Sequence, residues 1–242
     1  MRPPETMPED MRDAFTMGGR VPVEYDYYND VPSRPLVLTR EGVDRRIVDA
    51  IAGRSVGYRR LTTEMLEAWR RWPVRGQRMA VVGCERADYP ALCLAHGAQS
   101  VTVVDRNVII SEHPRVRAAV PGDIDASCPK FDSIVAPSVV DHDGLGRYGD
   151  PIDPEADMKL MRWLGAALVP GGLLYLGVAV GLDCVVWNKG RIYGEIRLPL
   201  LLRGAWQTLY APSVAGESRR PNRRPLVVPL LVLVSQTGGL PG

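Results

Sequence analysis

The sequence predicts an α/β protein built on a mostly parallel sheet, and two observations carry that prediction. First, the short unbroken apolar runs "RMAVVG" (78–83), "SVTVVD" (100–105) and "FDSIVAPS" (131–138) are separated by segments with helical spacing. Continuous apolar strands are those covered on both faces, and alternation of strand with helix builds parallel sheets. Second, the last apolar stretches, "AWQTLYAPSV" and "PLVVPLLVLVSQ", flank the polar segment "AGESRRPNRRP" with no helix between them. They read as an antiparallel pair joined by an exposed loop.

The elements follow in order. Residues 1–35 are rich in proline, methionine and acids, carry the aromatic patch "YDYYND" (25–30), and read as an irregular arm. Residues 36–75 read as a helical region, a lid or packing segment. There "EGVDRRIVDAIA" (41–52) places Val43, Ile47, Val48 and Ile51 at helical spacing. "LTTEMLEAWRRW" (61–72) has an apolar stripe, with Thr62 or Thr63 as N-cap and Pro73 as terminator. From residue 76 onward the strands begin. "DYPALCLAHGA" (88–98) is a helix closing in Gly97, a further helix covers about 154–168 with Asp153 as N-cap and Pro154 at its first position, and "LLYLGVAV" (173–180) is a strand.

Composition narrows the function. A chain of 242 residues, 45% hydrophobic and 24% charged, suits one core-forming domain with elaborations. A net charge of +2 supplies no global field to draw nucleic acid or an anionic membrane. The longest apolar runs are far short of the roughly 20 residues a spanning helix needs, and the acidic, proline-bearing N-terminus lacks the apolar core of a secretory signal. Cys84, Cys93, Cys128 and Cys184 form no CxxC pair, which argues against structural zinc or a disulfide framework and for reduced thiols in the cytoplasm.

Two constellations carry chemistry. In the first, a strand ends at Gly83, a helix follows, and the next strand ends at Asp105, 22 positions after that glycine. In a doubly wound sheet this is where a ligand sits, glycine admitting it to the backbone and the acid holding ribose hydroxyls. The turn "GCERAD" puts Glu85 where a dinucleotide fingerprint has its second glycine. A carboxylate there opposes a pyrophosphate, which disfavours a nicotinamide cofactor, but suits a cofactor with a positive centre and no phosphate, such as S-adenosylmethionine.

The second constellation is "FDSIVAPSVVDHDG" followed by "LVPGGLLYLGV". These residues, Phe131, Asp132, Asp141, His142, Leu168, Pro170, Gly171 and Gly172, resemble class I S-adenosylmethionine-dependent methyltransferases over about residues 75–236. More narrowly, "HDGLGRYGDPIDPEAD", "WNKGRIYG" and "RLPLLL" resemble the methyltransferase-like family catalogued as domain of unknown function 268. In place of that family's small residue, Pro-Trp pair and Glu after the first-strand glycine, this chain has Cys84 and then Asp88-Tyr89-Pro90-Ala91. The resemblance implies a Rossmann-like methyltransferase domain over 76–242, its mostly parallel sheet seven-stranded with the last strand antiparallel. It also implies S-adenosylmethionine as cofactor, with Gly83, Cys84, Glu85, Asp105, Arg106 and Ser138 around it.

The expected reaction is methyl transfer to a small-molecule or carbohydrate hydroxyl. His142 is the residue type to take the hydroxyl proton, with Asp141 or Asp143 to orient it; the other reading of His142 is a residue that shapes the pocket or caps the next helix. Asp141, Asp143, Asp150 and Asp153 are oxygen donors that a divalent cation would accept, but "DPIDPEAD" reads simply as a turn and helix start, and no metal is expected. "GLGRYGD" reads as a loop held by buried Arg147 and Tyr148. Trp187, Asn188, Arg191 and Tyr193 line an acceptor wall or anchor a loop. The basic clusters at 70–78 and 218–225 read as solvated loops. A homodimer, a complex subunit and a non-catalytic scaffold that keeps the fold stay open as alternatives.

Overall fold

Residues 3–54, 56–124, 131–204, 206–211 and 228–236 are described by the computed structural model. A 3-10 turn over Glu9–Met11 leads into α1 (Arg12–Thr16), β1 (Val23–Asp26) and β2 (Leu36–Leu38). Residues 3–35 therefore contain regular elements and are more than an irregular arm. α2 (Arg40–Ile51) opens on Thr39, whose hydroxyl accepts from the Gly42 N–H at 3.1 Å, as a threonine N-cap does. α3 (Arg59–Arg71) starts earlier than its sequence suggests, capped by Tyr58 instead of Thr62 or Thr63. Those two hydroxyls donate to the carbonyls of Val56 and Arg59, at 2.6 and 2.9 Å, and leave no cap to form.

β3 (Arg78–Val82), α4 (Asp88–Ala95), β4 (Ser100–Val104), β5 (Ile109–Ser111) and β6 (Val116–Ala119) follow, then β7 (Phe131–Pro137), α5 (Ala156–Ala167) and β8 (Leu168–Gly177). The chain finishes with β9 (Cys184–Asn188), β10 (Gly190–Ile192), α6 (Arg197–Leu201), β11 (Trp206–Tyr210) and β12 (Leu230–Ser235). α5 begins at Ala156, two residues beyond Pro154. Asp153 closes the preceding turn, its Oδ1 accepting from the Glu155 N–H at 3.0 Å and its carbonyl from the Ala156 N–H at 3.3 Å. β8 starts at Leu168, ahead of the apolar run. Phe131 pairs with Leu168 and Ser133 with Leu173, so Pro170, Gly171 and Gly172 fall within a register shift.

The main sheet has seven strands in the order β11-β12-β8-β7-β3-β4-β6. β3, β4, β6, β7 and β8 are parallel, while β12 runs antiparallel to both β8 and β11. Side-chain alternation assigns the two faces. Met79 and Val81 of β3, Val135 of β7 and Tyr175 of β8 join the cluster with Leu61, Met65, Trp69 and Leu92 of α3 and α4. Ala80, Val82, Ile134, Ala136, Leu174 and Leu176 join the opposite cluster with Met161, Leu164 and Leu201 of α5 and α6. Both faces are covered, which is why these strands carry no polar alternation.

A third cluster belongs to the N-terminal segment: Met7, Phe15 and Val21 pack on Leu145, Val185 and Trp187. β1 pairs parallel with β9, and β9 antiparallel with β10, in a small separate sheet. β2 pairs with β5. Among the described residues no helix is long and apolar enough to cross a membrane. Cys128, Lys130 and the basic loop at 218–225 lie outside the described residues.

Candidate functional site

The direction of chain travel across the sheet reverses between β3 and β7, and at such a reversal the strand ends leave a crevice. A cavity of about 1430 Å³ opens there, lined by Gly83, Cys84, Glu85, Asp105, Arg106, Ser138, His142 and Asp143 among others. The glycine turn, the acid that ends the neighbouring strand and the histidine-bearing rim thus share one space.

Gly83 has φ of +75°, and a Cβ at this position would lie 2.7 Å from the Val139 side chain. Only glycine makes this turn. The next N–H, that of Cys84, donates to Asp105 Oδ2 at 3.1 Å, and Asn107 N–H donates to Oδ1 at 2.8 Å. Each carboxylate oxygen is oriented by one backbone donor and keeps a lone pair for a second. Cys84 is buried, its thiol donates to the Arg86 carbonyl at 3.0 Å, and burial pushes its pKa up to about 12, so it stays protonated and non-nucleophilic.

On the rim, Ser138 sits at φ of +59° where β7 ends. Its hydroxyl donates to the carboxylate of Asp141, 3.0 and 3.2 Å from the two oxygens. Asp141 does not line the cavity: it is 3% exposed and lies behind Ser138 and His142, with Oδ2 3.6 Å from His142 Nε2. His142 Nδ1 is 2.7 Å from the Lys189 carbonyl oxygen. A carbonyl only accepts, so Nδ1 carries the proton and Nε2 is the open nitrogen of the neutral ring. Gly190 makes room for this ring, since a Cβ there would stand 3.0 Å from Nδ1. Asp143, buried and paired with Arg106 at 3.2 Å, has its pKa raised, burial outweighing the arginine.

The other expected wall residues lie elsewhere. Trp187, Asn188, Arg191 and Tyr193 are all within 1% of complete burial and form no part of the cavity lining. They hold the rim from behind: Arg191 donates to the carbonyls of Asp143 and Asp153, and the Asn188 amide bonds both backbone groups of Tyr28. Arg147 and Tyr148 are half-buried, not buried, and both line the cavity. Arg147 pairs with Asp30 at 2.7 Å and stacks between the rings of Tyr28 and Tyr148.

Asp30, Pro32–Val37 and Gly57–Tyr58 close the cavity from the N-terminal side. The Tyr58 N–H donates to the Tyr89 hydroxyl at 3.2 Å, and burial raises the pKa of that phenol to about 12. Leu36, Val37, Gly57 and Tyr58 belong to the segment read as a lid or packing region and Asp30 ends the "YDYYND" patch, whereas nothing in the sequence marks Pro32–Pro35 as part of the wall. Among the described residues no group of three or more His, Cys, Asp or Glu is arranged to hold a metal ion. Asp150 and Asp153 instead accept backbone N–H groups within the rim loop.

Residues 76–220 match the model of the family described as "Caenorhabditis protein of unknown function, DUF268". No curated protein matches the chain. Among solved structures, 1,6-didemethyltoxoflavin-N1-methyltransferase from Burkholderia thailandensis, determined with 1,6-didemethyltoxoflavin and S-adenosylhomocysteine bound, superposes with a TM-score of 0.53 at 18% identity. It covers 80% of this chain and 86% of its own. An S-adenosylmethionine-dependent methyltransferase from Mesorhizobium loti gives a TM-score of 0.45 at 15% identity, over 71% of this chain and 97% of its own. The first likeness is one of fold: the Rossmann-like class I methyltransferase architecture.

Proposed function

The chain belongs to the DUF268 family, and on that premise we propose that it is an S-adenosylmethionine-dependent methyltransferase acting on the hydroxyl of a small molecule or carbohydrate. The observation that carries this reading is the single cavity shared by Gly83, Asp105 and His142. Its donor set suits this cofactor better than a dinucleotide. α4 presents the acid Asp88 in its first turn and Glu85 precedes it, so the helix start is a poor seat for a pyrophosphate. Asp105, with both oxygens pre-oriented, suits ribose hydroxyls. Pockets that bind one drug-sized ligand measure roughly 300–1,000 Å³, so a cavity of about 1430 Å³ has room for cofactor and acceptor together.

When bound, the cofactor supplies a methyl group already activated on a positively charged sulfur. What remains for the chain is alignment of the acceptor and removal of one proton. His142, which lines the cavity with its Nδ1–H anchored on the Lys189 carbonyl, is the residue we assign to take that proton at Nε2. Asp141, 3.6 Å away, stabilises the imidazolium that results. Ser138 holds the Asp141 carboxylate in place.

The test is calorimetry and thermal shift with S-adenosylhomocysteine and NAD side by side. Saturable stabilisation by the first alone, abolished by Asp105→Ala, supports the reading. Binding of NAD alone, or of neither, overturns it, the latter in favour of a non-catalytic scaffold. An unchanged shift in Asp105→Ala removes that carboxylate from the site.

A further inference from the structure

Glu85 occupies the place of the second glycine in a dinucleotide fingerprint, and its side chain is already engaged. Its Oε1 accepts a hydrogen bond from the Tyr148 hydroxyl at 2.9 Å, joining two chain segments 63 residues apart. Glu85 sits on the turn after β3, Tyr148 on the loop after β7, and both line the cavity. Tyr148 is fixed on its other sides as well. Its ring stands edge-on to His142, centroids 5.9 Å apart, and the Arg147 guanidinium lies 4.9 Å over it. Its N–H donates to Asp150 Oδ1 at 3.2 Å, and its carbonyl accepts from Asn107 Nδ2 at 3.4 Å. Asn107 is the residue whose N–H orients Asp105.

We propose that Glu85 and Tyr148 form a clasp across the cavity. Glu85 fastens the rim loop to the cofactor turn, and Tyr148 is a positioning residue that sets the His142 ring against the crevice. A hydroxyl bonded to a carboxylate is among the stronger neutral-donor hydrogen bonds. Burial and the nearby Glu85 charge both raise the phenol pKa, so the donor stays protonated. In this assignment Glu85 is a structural replacement for the glycine and not a cofactor ligand.

The clasp is tested first without ligand. The ring resonances of His142, identified by their loss in His142→Gln, are recorded for Glu85→Ala, Tyr148→Phe and the double variant, with thermal unfolding to show that each is folded. Expected is a displacement of similar size and direction in both single variants, no further displacement in the double, and partial recovery in Glu85→Gln, which keeps an acceptor oxygen. An unmoved His142 signal in either single variant, or additive displacements, overturns the proposal. The second measurement is S-adenosylhomocysteine affinity and rests on the methyltransferase reading. Each single variant is expected to raise Kd equally, by roughly tenfold, and the double by no more. A larger loss in Glu85→Ala, adding to that of Tyr148→Phe, makes Glu85 a direct ligand and overturns the clasp. Failure of the unaltered protein to bind S-adenosylhomocysteine overturns the methyltransferase reading instead, and the histidine spectra then decide the clasp alone.

Discussion

The imidazole of His142 is fixed by groups from three parts of the chain: the Lys189 carbonyl at Nδ1, the Tyr148 ring at its edge, and Ser138 with Asp141 near Nε2. The Ser138 hydroxyl lies 3.0 Å from Asp141 Oδ2 and 3.5 Å from His142 Nε2, so its shorter bond is to the carboxylate. In the proposed reaction Nε2 receives the proton of the acceptor hydroxyl, after which Ser138 Oγ and the Asp141 carboxylate both accept from Nε2–H. This predicts that His142→Ala lowers methyl transfer by about 10²-fold or more while leaving S-adenosylhomocysteine affinity nearly unchanged. The measurement is incorporation of label from S-adenosylmethionine into an acceptor found by screening hydroxyl compounds. Undiminished turnover rejects the role, and a loss confined to cofactor affinity makes His142 a pocket-shaping residue.

At the level of elements, the rim loop from Ser138 to Glu155, with the first turn of α5 that follows it, explains why a chain follows a buried strand with so many acids and glycines. Gly144 could carry no Cβ, since it would lie 2.2 Å from the Asp153 carbonyl oxygen, and Asp150 accepts the N–H groups of Gly146 and Tyr148. Asp157, fully buried, receives Arg197 through two bonds of 2.8 and 2.9 Å and the Tyr193 hydroxyl at 3.0 Å, with Arg191 3.7 Å away. Burial pushes the Asp157 pKa up, but the two arginines and the tyrosine override it, so the net shift is downward. A depressed folded-state pKa contributes stability above the ordinary carboxylate range and loses it as pH falls through the folded value. Asp157→Asn should therefore destabilise at neutral pH by about 3–5 kcal/mol, as breaking a buried pair does. The deficit should shrink as the pH falls below about 4. Urea midpoints across that range check this; a deficit independent of pH refutes it. The acids of this loop were visible in the sequence, and so were the main strands, whose two-sided burial leaves unbroken apolar runs. The pairing of β1 with β9 was not: four residues carry no periodic signal, and the partner lies some 160 positions on. Nor could Trp187 and Arg191 be assigned, because an arginine facing a cavity and one facing buried carbonyls look alike in one dimension.

Taken as a whole molecule, the N-terminal segment completes the site instead of hanging beside it. Trp187 Nε1 donates to the Pro4 carbonyl at 3.1 Å, Lys189 pairs with Asp26 at 2.6 Å, and Asp30 N–H donates to the Arg147 carbonyl at 2.9 Å. The residue whose carbonyl holds His142 is thus itself held by the segment that forms the far cavity wall. Phe15 anchors this arrangement: it is fully buried, edge-on to Trp187 at 5.3 Å and beneath the Arg191 guanidinium at 5.7 Å. Replacing such a ring by alanine removes about 3–5 kcal/mol, which for a protein of this size lowers the unfolding temperature by roughly 6–20 °C. If the segment and the main sheet are one cooperative unit, Phe15→Ala unfolds in a single transition, with tryptophan fluorescence and far-ultraviolet dichroism coincident at the lower temperature. S-adenosylhomocysteine, bound only by the folded state, should then recover part of the loss. A fluorescence change that precedes the loss of dichroism would instead show the segment melting from an intact sheet. The wall from Asp30 to Val37 would then be a separable cover, and the dependence of His142 geometry on it would fail.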